Sequence, residues 1–322
     1  MRSAVRLAAG EGFRLDAVTC VDDHRGWSAA EVGTGHRLVL VRRGLFRRRA
    51  DGRAAVIDPA MAYLSTPGVE EHFAHPAGGD VCTSVSLSPE LWCTLAGEAP
   101  RPARPTLYVD AGLDLAHRRF LRAARGGDAA FELAESLLSL IGAALSQLVP
   151  APTPATSAAG ALGAGTEVVR VSVAGAADVK AHGAGTGAAE GSSSKPSDPA
   201  PDNRRAGAVV RSSARIADAA REAIAADHPA AGGLLSLAEL LAVSPYQLSR
   251  AFTRELGVSL THYRNRVRVG RALDRLEDGE PSLAGLAADL GFADQAHLTR
   301  TIRRHVGHTP TALRRLLASR NP

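Results

Sequence analysis

The chain has 322 residues, 45% hydrophobic and 22% charged, which leaves room for two domains with their own cores. No run approaches the ~18 consecutive apolar residues of a membrane span, and Met1–Gly10 lacks the apolar stretch of a secretory signal, so a soluble cytoplasmic chain without a membrane partner is expected. The formal net charge of +5 falls wholly within residues 209–322, which carry 16 Arg, no Lys and 11 acidic residues, while 1–208 balance at 22 of each sign. Such placement is the footprint of a surface facing phosphates. The plainer reading is a solvated basic surface, because Arg outnumbers Lys 36 to 2 throughout.

Residues 12–95 read as short strands broken by turns. Arg37–Val41, Ala54–Ile57, Met61–Leu64 and Val81–Leu87 recur at intervals that suit an antiparallel barrel or sandwich. Two helices are predicted to follow, over 113–125 and 129–148. In the second, Phe131, Ala134, Leu137, Leu138, Ile141, Ala144, Leu145 and Leu148 form one apolar stripe. That stripe either lies against its own barrel or forms a dimer seam through Leu137, Ile141, Ala144 and Leu148. His72-x-x-His75 with Glu70, Glu71 and Cys82 is a conceivable metal set, but turn or pocket roles fit it better. No metal and no cofactor are therefore expected. The three cysteines, Cys20, Cys82 and Cys93, lack CxxC spacing and fit a reducing cytosol, with burial favoured over redox sensing.

From 150 to 208 the chain turns to Gly, Ala, Ser and Pro without an aromatic residue, a composition that cannot offset ordering entropy. It reads as a flexible linker in which only Val168–Val173 has strand character. Three domains result: 1–149, a sensor and dimerisation domain; 150–208, the linker; and 209–322, an all-α domain.

The last ninety residues repeat. Leu248-Ser249-Arg250 aligns with Leu298-Thr299-Arg300 at an offset of fifty, and Arg254, Gly257, Ser259 and Arg264 then fall on Arg304, Gly307, Thr309 and Arg314. Upstream, Leu237-Ala238 matches Leu283-Ala284 at an offset of forty-six, which predicts four extra residues in the second turn, around Gly291-Phe292. Ser236–Glu239 reads as a capping box, and Ser244-Pro245-Tyr246-Gln247 as a capped second start. Ser282 and Asp294 cap the corresponding helices, and Leu260–Leu276 joins the units as one long helix. Two capped helices separated by a tight turn make a helix-turn-helix. Recognition helices meet base edges with their N-terminal residues, so Tyr246, Gln247 and Arg250 in the first unit and Gln295, His297 and Arg300 in the second are base-contact candidates. Arg254, Arg303 and Arg304 are phosphate-contact candidates.

Residues 291–310, with 237–264, resemble the signature of the AraC/XylS family of bacterial transcription regulators over roughly 210–318. Ala296, Ile302 and Ala312-Leu313 depart from the usual residues. The resemblance implies two helix-turn-helix subdomains on successive major-groove segments, and it implies a variable cupin-like barrel ahead of them that binds an effector and dimerises. The fold class expected is multidomain α+β: a cupin-like β-barrel with C-terminal helices, a flexible linker, and two helix-turn-helix motifs joined by a linker helix. Double-stranded DNA, RNA polymerase, a small-molecule effector and a second copy of the chain are the candidate partners, with activation favoured over repression. The rival readings are a cupin-type metalloenzyme with a regulatory tail, or a regulator whose N-terminal domain only dimerises.

Overall fold

The computed structural model describes residues 2–97, 105–126, 129–148 and 203–317. Ten strands form two antiparallel sheets. The six-stranded sheet has the order β1 (Arg2–Gly10), β2 (Phe13–Cys20), β9 (Asp80–Leu87), β4 (His36–Arg43), β7 (Met61–Ser65) and β10 (Thr106–Tyr108). The four-stranded sheet has the order β3 (Glu31–Val32), β8 (Glu70–Ala74), β5 (Phe46–Ala50) and β6 (Arg53–Ile57). The β5–β6 hairpin turns on Asp51-Gly52, both at positive φ (50° and 71°), the conformation that a two-residue turn of right-handed twist requires.

Central strand β4 explains why Arg37–Val41 shows no polar alternation: both of its faces are covered. Val39 and Val41 pack between the sheets with Val18, Phe46, Ile57, Tyr63 and Cys82. Leu38 and Leu40 face the other way, into a core closed by α2 (Ala111–Ala123) and α3 (Ala129–Leu148). A short helix, α1 (Pro89–Ala96), capped by Ser88, precedes them.

The stripe on α3 belongs to this core. Leu137, Ile141 and Ala144 are 3%, 2% and 2% exposed, and Leu148 packs at the edge, so the side offered as a dimer seam is covered by its own domain. The face left open carries Phe131 and Leu138. By length and composition Phe131–Leu148 would suffice to cross a membrane, with mean hydropathy 1.2.

The predicted linker ends early. A helix, α4 (Asn203–Ala225), already begins inside 150–208, and Val168–Val173 lies outside the described residues. A 3-10 turn (Pro229–Gly232) leads into α5 (Leu234–Leu240), α6 (Pro245–Leu256), α7 (Leu260–Glu277), α8 (Leu283–Asp289), α9 (Gln295–Val306) and α10 (Pro310–Leu317). Ser236 is not a cap. Helix α5 starts after Gly233, and Ser236 is already in its first turns, donating to Ala230 O and Gly233 O.

The offset of forty-six is also corrected. Buried Leu237-Ala238 corresponds in three dimensions to buried Leu286-Ala287, an offset of forty-nine. Ala242 (φ 52°) and Gly291 (φ 70°) make the same left-handed turn, each N–H returning to the third-last carbonyl, Glu239 O and Ala288 O. The second turn is therefore one residue longer, not four: five residues, 290–294, stand where the first unit has four, 241–244.

The two halves share their cores. Ala60 packs with the first helical unit, and Ala111 and Leu115 of α2 pack with the second. Polar contacts reinforce the junction. Asp58 Oδ2 accepts from Arg221 Nη2 and Tyr263 Oη, both at 2.6 Å, while Arg221 also donates to Val56 O. Arg266, 1% exposed, donates to Val109 O at 2.7 Å and pairs with Asp114 at 3.1 Å. Arg118 binds Asp114, Asp274 and Glu277. Burial alone would raise the Asp114 carboxyl, but Arg118 and Arg266 hold it below the usual range.

Candidate nucleic-acid interface

Local sequence positions α6 and α9 by the same device, fifty residues apart. Ser244 Oγ accepts from Gln247 N at 3.1 Å, and Gln247 Oε1 accepts from Ser244 N at 3.0 Å, with Pro245 in the first turn. In α9, Asp294 Oδ1 accepts from His297 N at 2.6 Å, and His297 Nδ1 accepts from Ala293 N at 3.3 Å. His297 thus stands in the place of Gln247 but reaches one residue further back, to the N–H that precedes the cap. Both helices close on glycine in the left-handed region, Gly257 (φ 73°) and Gly307 (φ 79°), each donating at 2.9 Å to the carbonyl four residues back. Leu248 and Phe252 in the first unit, and Leu298 and Ile302 in the second, are fully buried and set which face turns outward.

That outward face holds most of the candidates. Tyr246, Gln247, Arg250 and Arg254 are exposed on α6, and Gln295, Arg300, Arg303 and Arg304 on α9. Thr301, which reads as exposed from periodicity, is 7% exposed and belongs to the packed side. Arg250 Nη1 donates to Tyr246 Oη at 2.9 Å, and its guanidinium lies 5.4 Å from the ring centre. The pair restricts a long side chain before it meets a ligand.

Capping limits what two of the candidates offer. With Oε1 committed to Ser244, Gln247 presents only its amide NH2, a donor for acceptor edges rather than the bidentate group that reads adenine. His297 is half-buried, its ring against Phe292 at 5.3 Å, which leaves Nε2 as its free nitrogen.

The charge on the domain is unevenly committed. Arg266 and Arg221 are buried at the junction, Arg271 pairs with Asp227, Arg275 with Glu280 and Asp289, and Arg264 and Arg314 donate to backbone carbonyls. Among the described residues no carboxylate pairs with Arg250, Arg254, Arg300, Arg303 or Arg304. His305 is pushed down to about 4 by burial first, then by His262, Arg266 and Arg304, so Arg303 and Arg304 carry the positive charge of the last turn of α9. Five arginines without a carboxylate partner on the outward faces of α6 and α9 make a surface suited to phosphate.

Sequence reasoning missed the junction. Nothing in the arginine-rich run of α7 marks Arg266 as the inward one, and Arg221 has a partner 163 residues away.

Comparison with known proteins agrees with this geometry. Residues 237–316 match the family described as "Helix-turn-helix domain". The arabinose operon regulatory protein of Escherichia coli is 28% identical over 81 residues, covering 25% of this chain and 28% of that protein. An HTH-type transcriptional regulator of Mycobacterium tuberculosis is 30% identical over 102 residues, covering 29% of this chain and 39% of that one. The chain thus matches less than half the length of these relatives. A cupin superfamily protein from Desulfitobacterium hafniense is similar to 27% of the chain, over 78% of its own length, at 14% identity and a TM-score of 0.24.

Proposed function

We propose that this chain, whose residues 237–316 are a helix-turn-helix domain of the AraC/XylS type, is a sequence-specific DNA-binding transcription regulator of the cytoplasm. One observation carries the reading: two helices, capped at both ends by equivalent residues fifty apart, present unpaired arginines on their outward faces. Tyr246, Gln247 and Arg250 on α6, and Gln295, His297 and Arg300 on α9, are assigned to base edges; Arg254, Arg303 and Arg304 are assigned to phosphates. Arg250 and Arg300 are the anchors, because Arg reaches both acceptors of guanine at once.

The N-terminal domain is assigned the sensing role. A cavity of about 230 Å³ lies between its sheets, lined by Arg37, Phe46, Tyr63 and Phe73, among others. The shared cores and buried ion pairs give a bound effector a direct mechanical path to α7. Activation through contact with RNA polymerase, and association of two copies through the Phe131 and Leu138 face of α3, complete the proposal.

Genome-wide mapping of DNA bound by the full chain tests it. A recurrent motif with two half-sites about one helical turn apart is expected. Occupancy without a shared motif contradicts it.

A further inference from the structure

The geometry points to a transition-metal site in the N-terminal domain, built from Cys20, His75, Asp80 and Cys82. Antiparallel pairing of β2 with β9 sets Cys20 opposite Asp80 and Val18 opposite Cys82, so both cysteines and the aspartate share the inner face. The turn 75–79 then folds back over the end of β2. Gly79 makes that approach feasible, since a Cβ there would fall 2.2 Å from Cys20 O. His75 is thereby delivered to the same point from outside the sheet.

One ligand atom each from Cys20, His75 and Asp80 lies within 4.8 Å of the others, and all three residues are buried. His75 Nε2 is 2.9 Å from Asp80 Oδ1, and Cys82 Sγ donates to Asp80 Oδ2 at 3.0 Å. A second observation singles out the cluster: Asp80, 4% exposed, turns towards His75 Nε2 a buried Oδ1 that has no hydrogen-bond partner. All four residues line the inter-sheet cavity, which provides an entry path. His24 is not a ligand, because its ring nitrogens face Phe73 O and Asp22; it walls the site, 5.0 Å from His75.

Two thiolates, an imidazole and a carboxylate are the donor set of a tetrahedral Zn(II) centre, and their softness disfavours Mg(II) and Ca(II). His75 Nε2 and Cys82 Sγ stand 2.9 and 3.0 Å from the Asp80 carboxylate, and the Cys20 ligand atom lies within 4.8 Å of those of His75 and Asp80, spacings near the ~3.5 Å edges of such a tetrahedron. Binding releases the protons of both thiols and the one that Asp80 and Cys20 hold on His75, and the dication offsets two of the three negative ligand charges that burial otherwise disfavours. The set is distinct from His72-x-x-His75 with Glu70, Glu71 and Cys82. There His72 pairs with exposed Glu70, and Glu71 is held by Arg48 and Arg37.

Titration of the chelator-treated, reduced full chain with Co(II), then Zn(II), tests the site. One Co(II) per chain is expected, with a thiolate-to-cobalt charge-transfer band and the strong visible bands of four-coordination, all lost on adding Zn(II). C20S and C82S should each reduce the charge-transfer band by about half, and H75Q should weaken binding at least tenfold, while C93S, at an exposed position of α1, leaves the spectrum unchanged. A wild-type chain that binds no stoichiometric Co(II), or binds it without the thiolate band, overturns the assignment whatever the variants do. Loss of the band in C93S alone also overturns it.

Discussion

Asp58 and Arg221 meet at 2.6 Å across 163 residues of sequence, and Tyr263 donates to the same carboxylate oxygen. One aspartate from the β6–β7 turn thus ties α4 and α7 to the N-terminal domain. All three side chains are at most 3% exposed, so removing one partner strands a buried charge. Asp58→Ala should cost about 3–5 kcal/mol in denaturant unfolding, and pairing it with Arg221→Met should recover much of that loss. A double variant as unstable as the single one would show that the ion pair is not what couples the halves.

Protonation of His117 should limit stability in acid. It is buried beside Arg42 and Arg118 with Nε2 unpartnered, and burial first, then Arg42, push it down to about 3. The folded value lies below the unfolded ~6.5, so the contribution is full above pH 6.5 and is lost as pH falls towards 3. Between pH 6.5 and 5 the loss from this group is about 2 kcal/mol. Denaturation of His117→Leu over the same window should show a slope shallower by that amount; an unchanged slope assigns the acid limb elsewhere.

The equivalent turns make opposite responses expected. Ala242 holds φ 52°, a region that strains an L-residue by ~1–2 kcal/mol, whereas Gly291 holds φ 70° without strain. After glycine's greater unfolded entropy, Ala242→Gly should stabilise by about 0.5 kcal/mol, and Gly291→Ala should destabilise by about 1 kcal/mol. Thermal melts that move in the reverse directions contradict the equivalence at offset forty-nine.

Phosphate contacts differ from base contacts in their response to salt. Arg303→Ala and Arg304→Ala should each weaken binding to any DNA by a similar factor, and each should reduce the log–log salt slope by about 1. Anisotropy titrations across a salt series read both quantities. Loss confined to one sequence would move these residues to the base-reading set.

Legibility of the sequence followed contact range. Caps at Ser244, Asp294 and Ser282, the closing glycines and the buried Leu248–Leu298 equivalence depend on residues within a turn or two, and each was readable. Ser236 misled because a Ser three residues before a Glu fits a helix interior as well as a helix start; Gly233 was the true boundary. Asp58–Arg221 and the Cys20–His75–Asp80 cluster are set by strand order and domain docking, which leave no local trace. The apolar stripe of α3 is the intermediate case. Its period was plain, but whether Leu137 and Ile141 met a sheet or a second chain depended on a surface elsewhere in the fold.

Reading of DNA by both α6 and α9 is tested most directly by the affinity of Arg250→Ala and Arg300→Ala chains for a mapped target site. Each variant should lose ~1–3 kcal/mol on that site, roughly a five- to 150-fold change, while binding unrelated DNA nearly as the parent does. Parent-like affinity of both variants for the mapped site would contradict the account.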